Sequence, residues 1–212
     1  MSSVSWNEKL YSKMRDEQEA YKNILLSKTP EEILDLAYEY SIREDILCAM
    51  VDNDLPEEQA AAILSLNLTM DDMFEQLSHD SDLSNQMDII WSSVEERGKK
   101  AYSALMDRAK SLIDEFCIHE YDAPADFSDL SKVGVAYTTV GDQGQLPLQV
   151  YVDLEGCKIE RELDGKPLDS WRYDTLGELI EIELEGLDFQ TLVSVSDEDV
   201  EKVLALKGVD FH

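Results

Sequence analysis

Apolar residues recur at helical spacing through the first half of the chain and at a period of two through much of the second. In "WNEKLYSKMRDEQEAYKNILL", Leu10, Met14, Tyr21, Ile24 and Leu25 fall on one side of a 3.6-residue period, which predicts a helix ending near residues 27–29. Thr29 then stands as an N-cap, Pro30 takes the first helical position and Glu32 completes a capping box, so a second helix starts there. Its expected inward stripe is Ile33, Leu36, Ala37, Tyr40, Leu47 and Met50. Glu31, Asp35 and Glu39 fall four apart, which stacks them in a row at intervals of about 6 Å along the axis.

The same punctuation recurs downstream. "DNDLPEEQ" offers Asp54 as a cap and Pro56 early, with Glu57 and Glu58 in the first turn before an apolar run from Ala60 to Leu66. "LTMDDMFEQL" repeats the pattern with Thr69, Asp71 and Asp72. Carboxylates at a helix start each contribute roughly 0.3–1 kcal/mol by complementing the helix dipole, so part of this acid is architectural. A last long helix is expected from near Asp82 through Met87, Ile90, Trp91, Val94, Leu105 and Ile113 toward His119, weakened locally at Gly98.

After "DAPADFSDLSK" the period changes to two. "VGVAYTTV", "LPLQVYVDL", "CKIEREL" and "LDSWRYD" read as short strands separated by "GDQGQ", "EG" and "DGKP". Glu155-Gly156 and Asp164-Gly165 mark tight hairpins, because glycine accepts positive φ. An antiparallel meander follows. Thr175 with Glu178 caps an amphipathic helix carrying Leu176, Leu179, Ile180 and Leu184, and Ser196 opens a last short helix through Val203 and Leu206. The expected fold class is α+β: an acidic all-α domain, residues 1–110, joined by a long helix to an α+β domain, residues 111–212, whose helices cover a β-meander.

Charge changes the picture most. Of 212 residues 47 are Asp or Glu and 18 are Lys or Arg, a formal net charge of −29, yet 43% are hydrophobic, so the chain folds rather than forming an acidic tail. Charge of this sign repels nucleic acid and anionic membranes and attracts basic surfaces. Solubility alone is a sufficient use for much of it. Duplex DNA carries one charge per roughly 1.7 Å of axis, so this charge matches about 50 Å of duplex, the scale of a nuclease's DNA channel. The candidate partner-binding acids are Glu31, Asp35, Glu39, Asp52, Asp54, Glu57, Glu58, Asp71 and Asp72.

Catalytic chemistry finds no foothold. Cys117 and His119 could bind zinc, but no CxxC or HxxxH accompanies them. "DNDLPEE" starts like a calcium loop at Asp52 and Asp54 and then places Glu57 where the turn needs glycine. His79, His119 and His212 form no nucleophile–base motif with Cys48, Cys117 or Cys157. Gly141 and Gly144 lack the ending of a phosphate loop and read as a hairpin turn. Arg97, Lys99, Lys100 and Arg108 lie among Glu95, Glu96 and Asp107, which describes a solvated helix face rather than a nucleic-acid stripe. Trp6, Tyr21, Tyr38, Tyr40 and Trp91 keep helical spacing and are expected in the core. No catalytic residue, metal ligand or cofactor is therefore expected. The three cysteines are odd in number and widely spaced, which fits reduced thiols, buried or neutral, better than a disulfide framework. With no run of about 18 apolar residues and no basic-then-apolar leader, the expected location is the cytoplasm.

"LYSKMRDEQEAYKNILLSKTPEEILDLAYEYSIREDILCAM", "NDLPEEQAAAIL" and "IIWSSVEER" resemble a helical family of unknown function from gut Firmicutes, their phages and mobile elements, over roughly Asn7 to Lys100. "EFCIHEYDAPADFSDLSKVGVAYTT", "LPLQVYVDL", "IERELDGK" and "YDTLGELIEIEL" look like a large polyvalent protein-associated domain, over roughly Leu112 to Asp199. The resemblance implies a role in helping mobile DNA survive host defence, and the helical family is similar in part to an inhibitor of type II CRISPR nucleases. It supplies no catalytic residue. The expected function is a non-enzymatic anti-CRISPR protein of a phage or mobile element, acting in the bacterial host cell. Its expected partner is a basic nucleic-acid-binding protein, a type II RNA-guided nuclease, and neither nucleic acid nor membrane is expected to bind directly. DNA mimicry, allostery and interface blocking are all compatible with that role. The alternative is an accessory protein–protein interaction module with no nuclease target.

Overall fold

The computed structural model describes residues 4–78, 86–141 and 146–206. His79, His212, the expected helix start near Asp82 and the turn residues 142–145, including Gly144, lie outside the described residues. The fold is α+β, with two compact units that divide between Ala104 and Leu105.

The first unit is helical. Its elements are α1 (Trp6–Leu25), α2 (Pro30–Asp52), α3 (Glu57–Ser65), α4 (Met70–Ser78) and the first part of α5 (Gln86–Tyr121). Ser5 and Glu8 form a capping box at the start of α1, and Thr29 and Glu32 form the expected one at α2. The core joins Leu10 and Met14 of α1, Ile46 of α2, Ile63 of α3, Met70 of α4 and Ile90 of α5, each fully buried. Burying one such side chain contributes about 1.5–3 kcal/mol. Gly98 does not break α5. A Cβ there would lie 3.0 Å from Gln59 Oε1 and 3.1 Å from Gln59 Cβ, so the glycine lets α5 approach α3.

Burial along α2 differs from the expected stripe. The buried residues are Ile42, Arg43, Ile46, Leu47 and Ala49. Ile33, Leu36, Tyr40 and Met50 are half-buried and Ala37 is exposed. Leu34 is 74% exposed and Tyr38 56%, while Ile24 of the preceding helix is 55% exposed. Periodicity locates a helix but assumes a core along its whole length. Here the fully buried side of α2 begins only at Ile42. The aromatics expected in the core follow suit: Trp6, Tyr21, Tyr40 and Trp91 are half-buried, and Tyr38 is exposed.

Asp54 does not cap α3. Pro56 occupies the N-cap and no side chain bonds to the first turn. The connection is set instead by Asn7, whose side chain donates to Leu55 O at 2.8 Å and accepts from Leu55 N at 3.0 Å.

The second unit is built on an antiparallel sheet in the order β1 (Val133–Val140), β2 (Leu146–Asp153), β3 (Lys158–Leu163), β4 (Lys166–Arg172). It is the expected meander. Alternation on β2 and β3 buries Leu146, Leu148, Val150, Val152, Ile159 and Leu163 on one face. Val193, Val195, Val200 and Val203 pack over the leucines from α7 (Phe189–Val193), the segment after it and α8 (Asp197–Leu206). Thr175 caps α6 (Leu176–Ile182) as expected, accepting from Glu178 N at 3.0 Å. The Asp164-Gly165 turn has φ of 55° and 73°, the geometry of a tight hairpin. At Glu155-Gly156 the positive φ falls on Cys157 instead, at 49°. Gly156 answers a different need, because a Cβ there would lie 2.4 Å from Asp153 Oδ2.

Candidate functional site

The nine candidate acids separate by what the protein already does with them. Glu39 and Asp71 converge on Arg43, a guanidinium only 4% exposed. Arg43 Nε and Nη2 donate to Glu39 Oε1 at 2.9 and 2.7 Å, and Nη2 also donates to Asp71 Oδ1. The guanidinium lies 4.0 Å over the Tyr21 ring, so one buried cation ties α1, α2 and α4 together. Burial, reinforced by the Glu39 carboxylate, raises the Tyr21 phenol above its ordinary value. The end of the Glu31–Asp35–Glu39 row is therefore a structural ion pair and not a spare charge.

Asp72 and Glu57 are also engaged. Asp72 Oδ2 accepts from Thr69 N at 2.7 Å and Thr69 Oγ1 at 2.8 Å, capping α4, and Arg97 approaches within 3.5 Å. The Thr69 backbone N–H, with its hydroxyl and Arg97, holds the Asp72 carboxyl below the ordinary range against the effect of burial. Glu57 accepts from Trp6 N at 2.8 Å and Asn7 Nδ2 at 3.1 Å, so it satisfies the start of α1 although it belongs to α3.

Five acids remain: Glu31, Asp35, Asp52, Asp54 and Glu58. All are exposed, and none of their carboxylates has a hydrogen bond or ion pair with another described residue. Glu31 and Asp35 share one row of α2, next to the row that carries exposed Leu34 and Tyr38. Tyr38 meets Phe74 of α4 edge-on, with centroids 6.5 Å apart, which extends the apolar strip. Asp52 ends α2, where negative charge opposes the helix dipole and has no capping use. Asp52, Asp54 and Glu58 lie along the α2–α3 connection, apart in sequence from the Glu31–Asp35 row.

The remaining candidate chemistry disperses. Cys117 is buried with Sγ 3.9 Å from Gly134 O, while His119 is 83% exposed and meets Glu120 at 2.9 Å, so the two do not converge. Burial raises the Cys117 and Cys157 thiols, and Cys48 is exposed. In the basic cluster, Arg97 meets Asp72, Lys100 meets Glu96 at 2.7 Å and Arg108 meets Glu185 at 3.6 Å. Among the described residues no three His, Cys, Asp or Glu side chains gather as metal ligands would, and no helix is long and apolar enough to cross a membrane.

Two features escaped the sequence reading. One is Arg43, signalled by its i, i+4 spacing from Glu39. The other is a cavity of about 270 Å³ on the open sheet face, walled by Tyr121, Tyr137 and Tyr151 over Gly134. Its signal is a glycine inside a strand run.

Residues 6–102 match a protein family described as of unknown function, DUF3848. The match spans α1 to α4 and part of α5, so the first unit is similar to a helical domain whose function is not known. No curated protein and no solved structure matches the chain.

Proposed function

We propose that the chain is a non-enzymatic binding protein that engages a basic surface of a partner protein through the acidic face of its first unit. The supporting observation is the row of Glu31 and Asp35, exposed, without internal partners and beside exposed Leu34 and Tyr38 on a chain of net charge −29. Carboxylates next to apolar side chains suit a cationic protein surface, with charge steering the encounter and apolar contact holding it. On the finer reading the second unit is a polyvalent-associated domain of a mobile element. The partner is a type II RNA-guided nuclease in a bacterial cytoplasm, and the acids obstruct its DNA channel.

The test measures inhibition of target cleavage by such a nuclease across a salt series. Inhibition should weaken as salt rises, because the Debye length falls to about 8 Å at 0.15 M and about 3 Å at 1 M. Glu31→Lys/Asp35→Lys should lower affinity about tenfold or more, at a stability cost of about 1 kcal/mol because Glu31 lies in the first turn of α2. Inhibition insensitive to both salt and reversal would refute the acidic mechanism, and no inhibition would refute the nuclease as partner. The exposed Leu34, Tyr38 and Ile24 favour a second reading, an accessory interaction module held by apolar contact. It predicts a salt-insensitive complex that Leu34→Ser disrupts.

A further inference from the structure

The cavity on the open sheet face is built around a missing side chain. Gly134 pairs with Tyr151 across β1 and β2, and Tyr137 pairs with Gln149, with a bulge between Gly134 and Ala136. Tyr121, at the end of α5, enters from the β1 edge, where its hydroxyl accepts from Tyr137 N at 3.3 Å. Three phenol rings thus surround the bare backbone at Gly134.

Neither backbone nor packing requires glycine there. Among the described glycines, positive φ occurs at Gly141 and Gly165, not at Gly134. An added Cβ would meet one atom, Tyr151 Cε1, at an ordinary 4.0 Å. Glycine weakens a strand interior, and what this one achieves is open space between rings.

From this geometry we propose that the cavity binds the guanidinium of an arginine side chain presented by a partner polypeptide. Ring faces attract cations through their quadrupole. Tyr151 already does so, with Lys132 Nζ 4.3 Å from its centroid and bonded to Glu162 at 2.7 Å. The chain stacks its own guanidiniums on rings as well, Arg43 on Tyr21 at 4.0 Å and Arg161 on Trp171 at 4.9 Å. Among the described residues no formally charged side chain lines the cavity, Lys132 touching the Tyr151 ring without being part of the lining, and the Gln149 side-chain amide and the Tyr137 and Tyr151 hydroxyls have no hydrogen-bond partner. They are acceptors for a flat group with five N–H donors that is weakly hydrated. A quaternary ammonium has no donors, and an anionic ligand is opposed by the net charge of −29. This site lies in the second unit and stands independently of the acidic face of the first.

The experiment is an amide NMR titration of the full chain with N-acetyl-arginine methylamide, using the citrulline analogue as a neutral isostere. The arginine compound should shift the amides of Gly134, Tyr137, Gln149 and Tyr151 saturably, and the citrulline compound should bind about tenfold more weakly. Gly134→Val fills the floor with a residue that suits a strand and should also cost about tenfold with the sheet intact. Tyr137→Leu should weaken binding likewise. Glu31→Lys/Asp35→Lys should leave it unchanged, which separates this site from the first unit's acids. Equal binding of the two compounds, indifference to Gly134→Val, loss on reversing Glu31 and Asp35, or no saturable shift at these amides would each overturn the proposal.

Discussion

Arg43 shows how one residue decides the fate of its neighbours. Held at 4% exposure, the guanidinium depends on Glu39, Asp71 and the Tyr21 ring, and its removal leaves a partly buried carboxylate without a counter-charge. Arg43→Met should cost about 3 kcal/mol in urea unfolding, at the low end for a broken buried pair because Asp71 is 70% exposed and screened. Removing the second charge as well, in Arg43→Met/Glu39→Leu, should return at least about 1 kcal/mol of coupling. A double variant no more stable than the single would show that Glu39 contributes nothing through this pair. Arg161 does the same in the second unit. It meets Asp169 through Nε at 2.8 Å and Nη2 at 2.6 Å, and donates to the Leu192 and Ser194 carbonyls.

Helix starts were the most readable elements, because a cap is a local event. Thr29 with Glu32, Thr69 with Asp72 and Thr175 with Glu178 all form where their spacing places them. Asp54 fails because Pro56 takes the cap position itself. The paired strands were readable from period and turn residues, whereas burial along α2 was not, since it depends on elements distant in sequence. Candidate acids suffered likewise: nothing local distinguishes a solvated position such as Asp35 from Asp71, which meets an arginine 28 residues away. The tyrosine cavity required register between two strands and a helix end. The caps also carry a pH signature. The carboxyls of Asp72 and Glu32 are held low chiefly by the backbone N–H of Thr69 and Thr29, so their contribution is complete above their unfolded values of 3.8 and 4.5. It is lost as pH falls through the lower folded values. Urea midpoints should therefore drop below pH 4.5, and Asp72→Asn should flatten that acid limb. Thr69→Ala should cost about 1 kcal/mol at neutral pH, and an unaltered midpoint would deny the cap a role.

For the whole molecule, 47 acids against 18 bases mean self-repulsion that architecture only partly absorbs. Raising salt from about 0.01 to about 1 M shortens the Debye length from about 30 to about 3 Å, so calorimetric Tm should rise with added sodium chloride. A falling Tm would mean that pairs such as Arg43–Glu39 and Arg161–Asp169 outweigh the repulsion. The contact between Glu57 and Trp6 N reaches further still, since it closes a separation of 51 residues. As the chain leaves the ribosome, α1 emerges well before the carboxylate that completes its first turn has been synthesised. Until then it has the Ser5–Glu8 box alone, and most of a helix's stability in a protein comes from the packing of its apolar face rather than from propensity. Although it is made before α3, α1 should settle only after it.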